Sequence, residues 1–250
     1  MKKVEAMKLA TGLALTNPNL NLDYLKDKFK KNYLKDAEKH WEDSYTLRSH
    51  SLATLLGYSS EEDFELEGQR DAQYLCSFVA SNSIVLDLGC GVGRVTSYLA
   101  PYCREIHGVD VSSIALKFAQ ERCQSYPNIF FHKGNGFDLS CFDDQYFDFV
   151  CALNIFMHLD VEPAICYLRE IHRVLKQNGR FVFDIPNFLH EVNLKALFST
   201  APKPWDWPSS ARTRYWTPQM AEIIVTRLAF RIEKLVADEE VTVVASKERT

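Results

Sequence analysis

The stretch Val85-Leu86-Asp87-Leu88-Gly89-Cys90-Gly91-Val92-Gly93-Arg94 decides the fold, because it places three glycines where an apolar strand passes into a helix. Glycine lets the backbone turn tightly and come close to a ligand. The helix that follows offers backbone N–H groups with no partner inside the helix. The stretch therefore predicts a nucleotide-type ligand site at the carboxyl end of the first strand.

The spacing of these glycines argues against a nicotinamide dinucleotide. A dinucleotide fingerprint has a glycine where this chain has Arg94, so the pattern is GxGxG. Asp87, just before the loop, suits a cationic methionyl group better than a diphosphate. Asp110 ends the second predicted strand, where a carboxylate can accept hydrogen bonds from both hydroxyls of a ribose.

Outward from this stretch, short apolar runs alternate with amphipathic stretches, a pattern typical of βαβ units and a parallel sheet. The parallel strands are predicted over 84–88, 105–110, 128–132, 147–153 and 180–185. Two further strands, over 230–236 and 240–246, are predicted to form an antiparallel hairpin at the sheet edge. Asn178-Gly179 predicts a turn before the fifth strand, with glycine in a left-handed cap.

The chain divides into two predicted regions. Residues 1–70 lack strand alternation and are predicted to form a helical cap or lid. Residues 71–250 form the ligand-binding domain, with an insertion over 186–216 that contains four prolines and little periodicity. A long insertion in a compact domain is typical of a lid or substrate loop.

Composition narrows the classes of protein. The chain has 250 residues, 46% of them apolar, and a formal net charge of -4, which disfavours nucleic acid as a partner. Seven cysteines without CxxC spacing argue against a disulfide framework and predict no metal site. Reduced thiols predict a cytoplasmic protein. The sequence has no run of ~20 apolar residues, so no membrane span is predicted. We expect a monomer or homodimer.

Several stretches together resemble class I S-adenosylmethionine-dependent methyltransferases. The stretch 85–94, with Gly108-Val109-Asp110-Val111-Ser112, resembles the family's first motif and its successor. The stretches 134–139, 147–150, 154–159 and 168–180 resemble later family segments in the same order. The resemblance covers roughly residues 70–185. It implies an α/β, Rossmann-like, mostly parallel seven-stranded sheet with helices on both faces, S-adenosylmethionine as cofactor and S-adenosylhomocysteine as product.

The resemblance also implies which residues contact the cofactor. Asn135 stands where the family usually has aspartate and is expected to accept from the adenine amino group through its carbonyl. Phe137 is expected to stack on adenine. The predicted cofactor-binding residues are Asp87, Gly89, Cys90, Gly91, Gly93, Asp110, Val111, Asn135, Gly136, Phe137 and Asn154.

His158 follows the fourth strand and is the predicted general base, since a histidine can take a proton near neutral pH. The alternative is a scaffold histidine in an enzyme that needs no base. The predicted substrate pocket contains Trp41, Tyr45, Asn187, Tyr215 and Trp216.

The predicted function is methyl transfer to an oxygen or nitrogen of a small-molecule metabolite. A catalytically silent cofactor-binding module and, less favoured, a nicotinamide-dependent oxidoreductase are the alternatives. Residues 154–157 read NIFM, whereas base-amino methyltransferases have an Asn/Asp-Pro-Pro-Tyr/Phe sequence at this place.

Overall fold

One sheet organises the part of the chain that the computed structural model describes, which is residues 33–47, 59–200 and 212–248. Its strands are β1 (Ile84–Leu88), β2 (Glu105–Asp110), β3 (Ile129–Lys133), β4 (Phe147–Ala152), β5 (Leu175–Pro186), β6 (Phe230–Ala237) and β7 (Glu240–Lys247). The α-helices described are α1 (Tyr33–Leu47), α2 (Glu61–Cys76), α3 (Arg94–Leu99), α4 (Ser113–Arg122), α5 (Val161–Val174), α6 (Glu191–Thr200) and α7 (Pro218–Arg227).

The strand order across the sheet is β3-β2-β1-β4-β5-β7-β6. The first five strands run parallel, and β7 pairs antiparallel with both β5 and β6. This confirms the mostly parallel seven-stranded sheet and its C-terminal hairpin. Because β1 lies between β2 and β4 and is buried along its whole length, the glycine loop leaves the sheet from an interior strand.

Alternate residues of the strands build two apolar layers, one on each face of the sheet. On one face, Leu86 and Phe183 pack in the same cluster as Ile171 of α5 and Ala221 of α7. On the other face, Val85 and Phe149 pack in the same cluster as Leu75 of α2 and Leu99 of α3. Helices thus cover both faces, as expected from near-continuous apolar strands.

The predicted cap and the predicted insertion are described only in part. Helix α2 continues across the boundary expected at residue 70, so the cap joins the domain through an unbroken helix. Residues 1–32 and 48–58 of the predicted cap lie outside the described residues. Helix α6 occupies part of the predicted insertion, whose residues 201–211 are also outside the described part. Within the described ranges, no helix is long and apolar enough to cross a membrane.

The turn inside β5 differs from the expectation drawn from its sequence. The left-handed residue is Asn178, with φ of 61°, and not Gly179. Asparagine tolerates this region because its short polar side chain can bond locally. Gly179 is needed for space, since a Cβ there would lie 2.9 Å from the carbonyl oxygen of Lys176.

Candidate active site

The glycine loop, residues 89–93, folds back over the end of β1. All three of its glycines have positive φ, between 52° and 75°, a region that other L-residues rarely adopt. The N–H groups of Gly89 and Cys90 donate to the carbonyl of Val109 at 2.8 and 3.1 Å, which ties the loop to β2. A Cβ on Gly89 would lie 2.7 Å from Cδ1 of Ile155, so a larger residue does not fit here.

Asp110, at the end of β2, is oriented by the loop itself. Its Oδ2 accepts from the N–H of Gly91 at 2.9 Å, and its Oδ1 accepts from the N–H of Ser112 at 2.8 Å. Burial raises the pKa of Asp110, while these two amides favour its charged form. Each carboxylate oxygen has two lone pairs, so Asp110 retains acceptor capacity toward a ligand.

Asp87 supplies a second buried carboxyl group below the loop. The hydroxyl of Thr96 donates to its Oδ2 at 2.5 Å, and the thiol of Cys151 lies 3.8 Å from its Oδ1. Burial raises the pKa of Asp87 to about 6, against the opposing effect of Thr96. The group is therefore mainly ionised at neutral pH and places negative charge at the carboxyl end of β1.

Helix α1, called the lid helix below, is fastened beside the glycine loop by Glu42. The Glu42 carboxylate accepts from the N–H groups of Ser113 at 2.7 Å and Ile114 at 3.3 Å, at the start of α4. Burial opposes ionisation of Glu42, but these amides and the ammonium of Lys133 lower its pKa overall. A carboxylate at a helix N-terminus satisfies orphan donors and complements the helix dipole.

The lid helix turns two aromatic side chains toward the space between the glycine loop and β4. Tyr45 is 4% exposed, and its hydroxyl oxygen lies 3.2 Å from where a Cβ on Gly91 would stand. Burial and the nearby charge of Asp110 raise the pKa of Tyr45, so its phenol is neutral. The ring of Trp41 meets that of His158 edge-on, with centroids 4.8 Å apart.

The segment after β4, residues 153–160 and called the β4 loop below, is held at both ends. The N–H of Asn154, a residue with φ of 57°, donates to Oδ1 of Asp184 at 2.6 Å. Farther along, the N–H of Arg214 donates to the carbonyl of Met157 at 2.8 Å. The guanidinium of Arg214 also pairs with the carboxylate of Asp160 at 2.8 Å.

The glycine loop, the lid helix and the β4 loop enclose a cavity of about 340 Å³. It opens at the carboxyl ends of β1, β2 and β4, where open α/β sheets bind their ligands. One end, called the glycine end below, has Asp87, Gly91 and Asp110 in its wall. The other, called the β4-loop end, is walled by Trp41 and residues of the β4 loop.

Comparison with known families accounts for this arrangement. Residues 86–183, which include the end of β1, the glycine loop and most of β5, match the model of a family described as a methyltransferase domain. The chain carries a class I S-adenosylmethionine-dependent methyltransferase domain. The match favours a methyltransferase over the nicotinamide-dependent oxidoreductase that was the alternative.

Relatives of the methyltransferase domain differ in what they act on. An uncharacterized methyltransferase, YcgJ of Bacillus subtilis, is 36% identical over 102 residues, which are 39% of this chain and 38% of that protein. The demethylmenaquinone methyltransferase of Tropheryma whipplei is 32% identical over 146 residues, 58% of this chain and 54% of that protein. The matches thus span about half or less of these relatives' length.

A solved structure shares the fold over most of the chain. The phosphoethanolamine N-methyltransferase 1 of Haemonchus contortus, in complex with phosphoethanolamine and S-adenosylhomocysteine, superposes with a TM-score of 0.63. The superposition covers 89% of this chain and 51% of that one, at 16% identity. At this identity the likeness concerns the fold alone.

Most residues predicted from sequence to bind the cofactor or the acceptor lie in the wall of the cavity. They are Trp41, Tyr45, Asp87, Gly89, Cys90, Gly91, Asp110, Val111, Gly136, Asn154 and His158. The fold therefore brings together positions that are up to 117 residues apart in the chain.

Three predicted cofactor residues lie elsewhere. Gly93 packs α3 against α4, since a Cβ there would lie 3.2 Å from the Cβ of Ala119. The carbonyl oxygen of Asn135, expected to accept from adenine, instead accepts from the N–H groups of Phe137 and Asp138, each at 2.9 Å. Phe137 is 2% exposed and does not line the cavity. Here the structure favours structural roles, and the adenine contacts stay predictions.

Three predicted pocket residues are also placed away from the cavity. Trp216 is 1% exposed and packs on Phe156 and Phe183 in the main core. The side-chain amide of Asn187 accepts from the N–H of Leu189 and donates to the distant carbonyl of Asp238. Tyr215 is half-buried, and neither residue lines the cavity. Aromatic residues in a proline-rich stretch suit either a lid or a core, and here tertiary packing places Trp216 in the core.

Sequence reasoning missed the residues that hold the site together. Glu42 and Arg214 each bind backbone groups far along the chain, and no local pattern marks them. Asp184, near the carboxyl end of β5, accepts the hydrogen bond that orients Asn154. An isolated acidic residue at the carboxyl end of a buried strand does indicate a structural role, because a buried carboxyl group needs a hydrogen-bond donor.

Proposed function

We propose that the chain transfers a methyl group from S-adenosylmethionine to an oxygen or nitrogen of a small-molecule acceptor. The observation that carries this proposal is the half-buried carboxylate of Asp110, fixed by the amide of Gly91 at the glycine end of the cavity. The methyltransferase domain supports the same conclusion. Whether the whole chain turns over an acceptor or only binds the cofactor is decided by the experiments below.

The residues present fit the cofactor. Asp110 has acceptor capacity left for ribose hydroxyls, and Asp87 offers negative charge to a cationic methionyl group. Gly91 keeps open a space that a Cβ, 3.2 Å from the hydroxyl of Tyr45, would fill. When bound, S-adenosylmethionine supplies a methyl group on a sulfonium sulfur, and that sulfur becomes a neutral thioether after transfer.

The chain's own residues then have three tasks: to bind, to exclude water and to accept a proton. The lid helix closes one side of the cavity through Trp41 and Tyr45, which favours the exclusion of water from the reacting groups. The β4 loop, held by Asp184, aligns the acceptor for attack. His158 lies in the wall and takes the proton that an O–H or N–H acceptor loses.

The surroundings of the site support a small-molecule partner. One relative named above is a demethylmenaquinone methyltransferase, whose name gives a small-molecule acceptor. None of the seven cysteines, all within described residues, forms a disulfide, which agrees with a cytoplasmic location as part of the proposal. We propose a monomer or homodimer that uses neither nucleic acid nor membrane as a partner.

Calorimetric titration with S-adenosylmethionine and S-adenosylhomocysteine tests the cofactor assignment. We expect micromolar binding to the wild type and its loss in Asp110→Ala, because the ribose hydroxyls lose their acceptor. Asp143→Asn is the matched control, since Asp143 is exposed and lies outside the cavity. A folded wild type that binds neither ligand, or an Asp110→Ala variant that binds both normally, would overturn the assignment.

Turnover separates an enzyme from a silent cofactor-binding module. We expect methyl transfer to at least one acceptor of a small-molecule panel, with kcat in His158→Gln reduced by roughly 10²-fold, the lower range for loss of a general base. The pH dependence of kcat in the wild type should lose its lower limb in that variant. Cofactor binding without transfer to any acceptor would support the silent module instead.

A further inference from the structure

The β4-loop end of the cavity has a composition that bears on the acceptor. If the cofactor occupies the glycine end, the remaining wall is formed mainly by Trp41, Ile155, Met157, Leu159 and Tyr167. These side chains are apolar or aromatic. A pocket of this kind binds its ligand chiefly through buried apolar surface, with a few polar groups that fix orientation.

The same wall offers little to an anionic acceptor. Among its described residues, Arg94 is the sole arginine or lysine, and its guanidinium pairs with Asp71 at 2.8 Å. Nearby cations outside the wall also have acidic partners, Lys133 with Glu38 and Arg214 with Asp160. A phosphate or carboxylate moved here from water would therefore lose hydration without gaining a dedicated cation.

An acceptor with a permanent positive charge is not favoured either. The wall carboxylates described, Asp87 and Asp110, lie at the glycine end, where the cofactor's own cationic groups are expected. Asp160 and Asp184, which flank the β4 loop, are not in the wall and already accept hydrogen bonds from Arg214 and Asn154. The β4-loop end thus has no described carboxylate in its wall for a second cation.

His158 favours an acceptor whose reacting group has a proton to lose. It is the imidazole of the wall, in edge contact with Trp41. The proton that a phenol loses as the methyl group is transferred can pass to an imidazole in the wall, which then acts as a general base. Because the cofactor takes the glycine end of the same cavity of about 340 Å³, the space left for the acceptor favours a compact ring.

We propose that the acceptor is a compact, uncharged phenol or quinol whose ring packs against Trp41 and whose hydroxyl faces His158. This inference rests on the proposed methyltransferase function and specifies its acceptor subsite. In the transfer, the phenol oxygen forms a bond to the methyl carbon while the carbon–sulfur bond breaks with its electron pair on sulfur. The phenolic proton goes to His158, which releases it to solvent.

The test is calorimetric binding to protein saturated with S-adenosylhomocysteine. The probes are catechol and hydroquinone as neutral phenols, phosphoethanolamine as an anionic amine, and choline as a cation. We expect a phenol to bind at least about tenfold tighter than either charged probe. Tighter binding of phosphoethanolamine or choline, or no binding of either phenol at millimolar concentration, would overturn the proposal.

Variants of Trp41 test the ring contact. Trp41→Ala should weaken phenol binding about tenfold, whereas Trp41→Phe, which keeps an aromatic face, should stay within about threefold of the wild type. Tyr102→Ala is the control, because Tyr102 is 53% exposed and lies outside the cavity wall. Normal phenol binding in Trp41→Ala would refute the ring contact, as would equal losses in Trp41→Ala and Trp41→Phe.

The order of titrations keeps the two proposals separable. S-adenosylhomocysteine is titrated first into every variant, with far-UV circular dichroism as the check on folding. If the wild type does not bind it, the methyltransferase function itself fails. If it binds but the acceptor probes rank otherwise, the cofactor assignment stands and the phenol proposal fails.

Discussion

Asp184→Asn should make the folded chain less sensitive to pH. Asp184 is buried between β4 and β7, where desolvation and the neighbouring carboxyl of Glu240 raise its pKa to about 8. Asparagine keeps an oxygen that can accept from the N–H of Asn154. It has no carboxyl proton to lose, so the substitution removes the titration while preserving the anchor of the β4 loop.

The sign and size follow from linkage. An unfolded aspartate titrates near 3.9, so the folded state holds a proton that the unfolded chain has lost between about pH 4 and 8. The free energy of unfolding therefore falls as pH rises through this window. The limit for one proton is about 1.36 kcal/mol per pH unit, or about 2.7 kcal/mol from pH 5 to 7. Because Glu240 shares the effect, we expect roughly half of that limit to disappear in Asp184→Asn.

Urea denaturation at pH 5, 6 and 7 measures the effect. The stability of Asp184→Asn relative to wild type should rise by roughly 1 kcal/mol or more from pH 5 to 7. Asp143→Asn, at an exposed position, is the control and should give a difference from wild type that is nearly constant with pH. A pH-independent difference for Asp184→Asn would refute the assignment of a proton to this carboxyl group.

Three further predictions concern the site itself. Gly89→Ala should weaken S-adenosylhomocysteine binding, measured by calorimetry, at least tenfold. Alanine pays about 1–2 kcal/mol for the positive φ at this position, and its Cβ would lie 2.7 Å from Cδ1 of Ile155. Wild-type affinity in this variant would contradict the prediction. Glu42→Gln should speed hydrogen exchange in the lid helix by about threefold, because it weakens the hydrogen bond from the N–H of Ser113 by about 0.7 kcal/mol. Unchanged exchange would show that Glu42 does not hold the lid helix in place. The affinity of the wild type for S-adenosylmethionine should fall from pH 7 to pH 5, because Asp87, with a pKa of about 6, becomes protonated. Asp87→Asn should bind the cofactor weakly at both pH values. A wild-type affinity that does not change with pH would exclude a role for the Asp87 charge in binding.

The fold was predictable because its decisive signals are local. Each parallel strand is a short apolar run between turn residues, and the observed bounds of β1 and β2 agree with those predicted. The cap of α7 is equally local: the hydroxyl of Thr217 accepts from the N–H of Met220, and Pro218 begins the helix. Such features depend on residues within a few positions of each other, which a sequence displays directly.

The site was predictable only where one stretch of chain carries it. The glycine loop and the placement of Asp110 follow from a strand that ends in a turn. The bond from Ser113 to Glu42 joins residues 71 apart, and the bond from Asn154 to Asp184 joins residues 30 apart. Nothing near either acid indicates its donor, because the pairing arises from packing of helices and strands that the local sequence does not specify.

The buried carboxyl groups connect stability with function. Burial raises the pKa of Asp87 and of Asp184, so at neutral pH each is less favourable in the folded chain than a solvated aspartate would be. Asp184 offsets part of this by fixing Asn154, a residue with positive φ, in the cavity wall. Asp87 accepts hydrogen bonds from the side chains of Thr96 and Cys151, and it lines the cavity at the glycine end. A cationic ligand there would stabilise the ionised form of Asp87. Burial of this carboxylate destabilises the folded chain, and binding of a cationic cofactor would relieve that cost and so gain affinity.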